Sequence, residues 1–227
     1  MHVRFVPTHY AHHRGGQKIK KGNTMKITLT TAQAVSLAKA IAPAISADPV
    51  RVHLCAVQVI TTGEYVGFTA TDSYRMHRII VPQTDIDSYD IFLVGGVELV
   101  GALLGTAKAI GKGSGVIVLD YDYGDKVVAT GAGATMNVPV MDIDYAPCDS
   151  ILGALPETES GAYYHAPYLA DLVTAAGHIS GKAKKGSHDT GLVKIENIHP
   201  RKPMHVTADS VVTGMQFHGV LMPQRAS

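Results

Sequence analysis

After Met25 the sequence runs three times through one succession: a short apolar strand, an amphipathic helix, then three strands separated by turns. A period of this size means supersecondary units that bury their sheets only against neighbours. In the first copy Lys26 to Leu29 is a strand. Thr30 and Gln33 have the spacing of a capping box. Ala34, Leu37, Ala38, Ile41 and Ile45 then recur at helical spacing, with Pro43 near the end. Val50 to Ile60 reads as one long strand. Glu64 to Thr69 and Arg75 to Val81 read as a hairpin that closes at Pro82.

The second copy opens with a strand from Tyr89 to Val94. Its helix carries Val100, Leu103, Leu104 and Ala107 on one side and stops at Gly111 and Gly113. Gly115 to Tyr121, Lys126 to Thr130 and Thr135 to Val140 are its three strands, and residues 141 to 160 connect to the third copy. That copy opens with a strand from Ala162 to His165. Its helix has Pro167 in the first turn and Leu169, Leu172, Val173 and Ala176 as its stripe. Leu192 to Ile198, Met204 to Ala208 and Val211 to Met222 are its strands. The predicted organisation is a tail over residues 1–24, a two-repeat domain over 25–145, a connector over 146–159 and a single repeat over 160–227.

The tail holds Arg4, Arg14, Lys18, Lys20 and Lys21 and no acid. It reads as a disordered basic extension. Its histidines, among them His9, His12 and His13, leave a metal site open as the other reading. Set against the tail, the remaining chain holds 15 bases and 19 acids, a net charge of −4. A body of that sign meets nucleic acid only through local patches. No apolar run reaches membrane-spanning length and no apolar leader opens the chain, which argues for a cytoplasmic protein. Cys55 and Cys148 form no CxxC pair and read as reduced thiols.

Reactive motifs are missing. GTAKAIGKG, from Gly105 to Gly113, is one residue too long between its glycines for a phosphate loop and lacks the following hydroxyl, so it reads as a helix end. His53, His77, His178, His199, His205 and His218 are scattered without a metal or catalytic spacing. Asp142 and Asp144 have no base near them in sequence. These features point away from an enzyme and from a cofactor.

The stretch Ala70-Thr-Asp-Ser-Tyr-Arg-Met76 is a turn between two strand runs, with Asp and Ser suited to bond nearby backbone amides. It offers an aromatic ring, a fixed cation and an adaptable thioether, a set suited to peptide docking. With this stretch, the three repeats and the terminal Val220-Leu-Met-Pro-Gln-Arg225 together, the chain resembles the bacterial DNA polymerase III β sliding clamps over residues 25 to 225, in a shortened, bacteriophage-like form. The resemblance implies an α+β, DNA-clamp fold, with helices on one face of antiparallel sheets. It implies a DNA replication processivity factor that encircles duplex DNA without reading sequence. The partners implied are peptides of the replicative polymerase and the clamp loader.

Carried over residue by residue, the resemblance gives a peptide pocket of Leu54, Thr71, Ser73, Tyr74, Arg75, Met76, His165, Tyr168, Val220, Leu221, Met222, Pro223 and Arg225. An apolar cleft of this kind, with an arginine at its rim, can bury a Leu or Phe anchor and pair with backbone or acid groups on the peptide. DNA contacts would fall to Lys39, Lys108, Lys112, Lys182, Lys184 and Lys185. Ser73, Tyr74, His165 and Gln224 depart from the family's pattern. The family's rings close with twelve repeats, so three per chain imply an even-numbered homo-oligomer in which the third repeats pair and cover an open sheet edge. The other reading is an adaptor that keeps the pocket and never encircles DNA.

Overall fold

The structure is a computed structural model, and it describes residues 24–83, 86, 89–111, 115–148, 162, 164–181, 193–196, 201–210 and 213–224. Strand β1 (Met25–Thr30) leads into helix α1 (Thr31–Ile41) through the capping box the sequence announces. Thr30 Oγ1 accepts from Gln33 N at 3.2 Å, and Gln33 Oε1 accepts from Thr30 N at 2.9 Å. Strands β2 (Ala56–Thr61), β3 (Tyr65–Thr71) and β4 (Arg75–Pro82) follow, then β5 (Asp90–Gly95) and α2 (Gly96–Ile110). Gly111 ends α2 at φ +76°, a conformation that glycine reaches without a Cβ clash. Strands β6 (Val116–Tyr121), β7 (Lys126–Gly131) and β8 (Ala134–Pro139) complete the second repeat. Helix α3 (Ala166–Ser180), β9 (Lys194–Glu196), β10 (Met204–Asp209) and β11 (Gln216–Leu221) form the third.

Two antiparallel sheets result. One has the order β1-β6-β7-β8 and the other β5-β2-β3-β4-β11-β10-β9. The first two repeats therefore exchange their leading strands: β1 pairs with β6, and β5 pairs with β2. The three helices pack side by side, α1 touching both α2 and α3, over one continuous core. Leu29, Leu37, Phe68, Ile79, Leu103, Ile117, Leu172 and Phe217 are fully buried in it.

The sheets differ in what covers their outer faces. Strand β1 alternates buried and exposed residues, as a sheet wetted on one face does. Strands β3 and β4 are buried almost throughout. The reason is the segment after β8, which crosses their outer face. The Tyr145 hydroxyl donates to the Thr69 carbonyl at 2.9 Å, and Tyr145, Ala146 and Cys148 pack on Met76 and Val220. Burial pushes the Tyr145 phenol far above its ordinary pKa, so the hydroxyl stays a donor. Both cysteines are free thiols.

Two expectations change. The run from Val50 to Ile60 is not one strand: Val52–Leu54 is a 3-10 turn, held by Leu54 N on Arg51 O and Cys55 N on Val52 O, and β2 begins only at Ala56. Asp48 draws the backbone round, accepting from Val50 N and Arg51 Nε at 3.0 Å each. The leading strand expected over Ala162 to His165 is also missing from the described residues there. Tyr164 packs into the main core, and His165 stands at the N-cap position of α3 without a side-chain capping bond. The tail over 1–23 lies outside the described residues.

Candidate peptide-docking site

The turn at the head of β4 is built by Asp72. Its Oδ1 accepts from Tyr74 N and Arg75 N at 3.0 Å, and its Oδ2 accepts from Arg75 Nε at 3.1 Å. Thr71 Oγ1 donates to Arg75 O at 2.8 Å, closing the turn from the other side. Ser73 is forced to φ +79°, where a side chain is strained. The effect is to hold Tyr74 out at the tip, 47% exposed.

Two further elements converge on this turn. Strand β11 lies beside β4, with Val220 opposite Met76 and Leu221 opposite Arg75. Just beyond it, Met222 N donates to Tyr74 O at 3.3 Å, which ties the chain's last described stretch to the turn. From α3, Tyr168 stacks on Tyr74 with ring centroids 5.6 Å apart, and His165 lies against Tyr168 at 4.7 Å. Tyr74, Tyr168 and His165 thus form an open aromatic cluster, and Met222, 41% exposed, is tied by its backbone to the turn beside it. Met76 and Val220 are buried under Tyr145, Ala146 and Cys148, and Leu221 lies in the main core. Such a cluster can seat an apolar side chain of an extended peptide.

Arg75 does not stand free at a rim. Its guanidinium bonds Asp72 through Nε and Asp171 on α3 through Nη1, and its Cζ sits 4.9 Å from the centroid of the Tyr168 ring. Only 12% of the side chain is exposed. It is a clamp between the hairpin and α3, with both carboxylates already on it. Asp171 was not selected from sequence. The available signal is its place three residues after Tyr168, on the same helix face.

Of the other expected residues, Leu54 is 3% exposed in the 3-10 turn before β2. The hydrogen bonds and ring contacts that join the cluster do not include it. Pro223 follows Met222, while Arg225 lies outside the described residues. Lys39 and Lys108 are exposed on α1 and α2; Lys112, Lys182, Lys184 and Lys185 lie outside the described residues. No metal-holding group of three or more His, Cys, Asp or Glu occurs among the described residues.

One pairing hidden in the sequence is His205 with His218. They project from neighbouring strands on the face away from the helices, and His205 Nε2 meets His218 Nδ1 at 3.2 Å. Burial comes first in lowering both; His218 falls to about 4, with His205 and Arg78 adding repulsion. The hairpin register places them one step apart, which spacing along the chain conceals.

The fold has counterparts among solved structures. The DNA polymerase III β subunit of Thermotoga maritima matches at a TM-score of 0.67 and 11% identity, over 94% of this chain and 69% of that one. The β subunit of Streptococcus pyogenes DNA polymerase matches at 0.61 and 14%, over 92% and 68%. The chain has the sliding-clamp fold. The same clamp fold matches A. fulgidus PCNA carrying the C-terminal region of FEN-1, at a TM-score of 0.56 and 13% identity, over 89% of this chain and 99% of that one. No family model matches the sequence, and no curated protein matches it.

Proposed function

We propose that this chain is a non-enzymatic clamp-type platform of DNA replication. It holds duplex DNA without reading sequence and docks short peptides of a replicative polymerase and a clamp loader. It works as an assembly of copies in the cytoplasm of a bacterial cell or an infected bacterial host. The observation that carries the docking is the stacking of Tyr74 on Tyr168 from α3, with the exposed Met222 tied by its backbone to Tyr74. Because Asp72 and Asp171 occupy Arg75, a peptide's affinity comes from its apolar anchor and its backbone, not from a carboxylate on Arg75.

A short peptide of clamp-binding type, with a Leu or Phe anchor, is expected to bind in the micromolar range, about −8 kcal/mol. Tyr74→Ala and Met222→Ala should each weaken it by about 1–2 kcal/mol, since each removes part of the anchor's wall. Isothermal calorimetry on the two variants checks this, and equal affinity in all three proteins would refute the docking.

The DNA contacts proposed for Lys39 and Lys108 lie on helix faces with few charges. Contact with duplex is therefore expected to be weak and carried by phosphates. For about four phosphates neutralised, affinity falls roughly a hundredfold between 50 and 200 mM salt. Fluorescence anisotropy across that range measures the slope. Binding that ignores salt would speak against a phosphate-tracking role.

A further inference from the structure

The charges at the Tyr74 turn do not cancel. Arg75 brings one guanidinium, and Asp72 and Asp171 bring two carboxylates, so among the described residues the ion-pair group carries one negative charge in excess. Its members are not equally open. Asp72 spends both oxygens on the turn and on Arg75, and its side chain is as closed as that of Arg75. Asp171 differs. Its Oδ2 takes Arg75 Nη1, its Oδ1 takes no bond among the described residues, and 50% of its side chain is exposed. The excess charge therefore surfaces at Asp171.

That carboxylate borders the aromatic pair. Asp171 stands about one helical turn after Tyr168 on α3, and both meet the same guanidinium, Asp171 by an ion pair and Tyr168 through its ring. Tyr168 in turn stacks on the exposed Tyr74. An apolar anchor set against these rings therefore brings its neighbours in the peptide up to Asp171. A lysine or arginine there can lay its stem along the aromatic surface and keep its charged head at the open oxygen. A glutamate or aspartate there meets like charge, and Arg75 is too enclosed to compensate. We propose that this surface selects its peptide by charge: it takes an apolar anchor flanked by a lysine or arginine, which pairs with Asp171 Oδ1, and it disfavours an acidic flank. The inference rests on the docking reading and names the class of peptide that surface takes. Asp171 also holds Arg75, so the experiment has to separate a charge effect from loss of that clamp.

Three peptides decide it. They share a Leu anchor and differ only in the residue beside it, which is Lys, Gln or Glu. Calorimetry on the full chain at about 50 mM salt should rank them in that order, each step about three- to fivefold, the size of an exposed ion pair. At about 500 mM salt the steps should shrink to less than about twofold, as screening of exposed charges requires. Asp171→Asn keeps an oxygen for Arg75 and loses the charge. It should bring the three affinities within about twofold of one another while the Gln peptide binds as before. Asp120→Asn removes a charge from the other sheet and should leave the ranking intact, which sets aside an effect of net charge alone. Equal binding of the three peptides to the wild type, strongest binding of the acidic one, a ranking that survives Asp171→Asn, or an equal loss for all three in that variant would overturn the charge preference and leave the docking standing. Binding by none of the three would overturn both.

Discussion

Acidification from pH 7 to 4.5 is expected to remove on the order of 4 kcal/mol of folding stability, most of it below pH 6.5. Two buried imidazoles carry the effect. His77 is fully buried in β4, with Nδ1 2.6 Å from the carbonyl of Ala40 in the last turn of α1 and its ring edge-on to Phe217 at 5.2 Å. That carbonyl is one of those a helix end leaves without an intrahelical partner, and the Nδ1–H donates to it. Burial, the largest cause, lowers the His77 pKa to about 4 despite the favourable carbonyl, and His218 falls to about 4 as well.

In the unfolded chain both titrate near 6.5. Between pH 6.5 and 4 the unfolded state therefore binds protons that the folded state refuses, and stability falls as pH falls. The loss approaches about 1.4 kcal/mol per pH unit for each group and levels off below pH 4. A domain of ordinary stability, about 5–15 kcal/mol, is brought close to its limit by this alone. Urea denaturation at pH 7, 6, 5 and 4.5 reads the slope. His77→Asn keeps a donor for Ala40 without titrating in this range, and should reduce proton uptake on unfolding by about one. Stability that stays level down to pH 5 would show that these imidazoles are not held neutral.

Phe217→Ala is expected to cost about 3–5 kcal/mol, the usual range for a fully buried aromatic ring. Phe217 is wholly buried where the first and third repeats meet, on β11 beside β4. A methyl-sized group at Gly219 would come 2.3 Å from Leu172 Cδ1 and 2.7 Å from the Phe217 ring, so β11 and α3 are already packed to contact there. No neighbour can move in without loss. Because β11 belongs to the third repeat and β4 to the first, the loss falls on both, and calorimetry should show one transition moved to lower temperature. Two separated transitions, with only one of them moved, would mean that the third repeat folds on its own.

Much of this architecture is legible in the sequence where the signal is local. The Thr30–Gln33 box, the apolar stripes of the helices, the stop at Gly111 and the Asp72 turn each depend on residues within a few positions of one another. The break before β2 was lost because Val50, Val52 and Leu54 read as a strand, while Asp48 bends the backbone into a 3-10 turn. The closing of Arg75 by Asp171 was lost for another reason. The two residues are 96 positions apart, and the packing of α3 on α1, β4 and β11 brings them together. The near-continuous burial of β3 and β4 leaves no clear trace in sequences that carry Thr69, Thr71, His77 and Arg78, and nothing in them names Tyr145 and Cys148 as the cover.

Methionine methyl NMR tests the docking surface most directly, because the chain's eight methionines sample it and its surroundings. Met222 is exposed beside the Tyr74 turn and Met76, two residues after Tyr74, is buried under Tyr145 and Cys148, while Met25 and Met204 sit in the main core and Met136 is exposed on β8. On titration with a Leu-anchored clamp-binding peptide, the Met222 methyl signal should shift most and Met76 should follow. Met25, Met204 and Met136 should stay in place, and in Tyr74→Ala the same shifts should need about 5- to 30-fold more peptide. Shifts centred on Met136, or a Met222 signal that does not move at saturating peptide, would contradict a docking site at the junction of β4, β11 and α3.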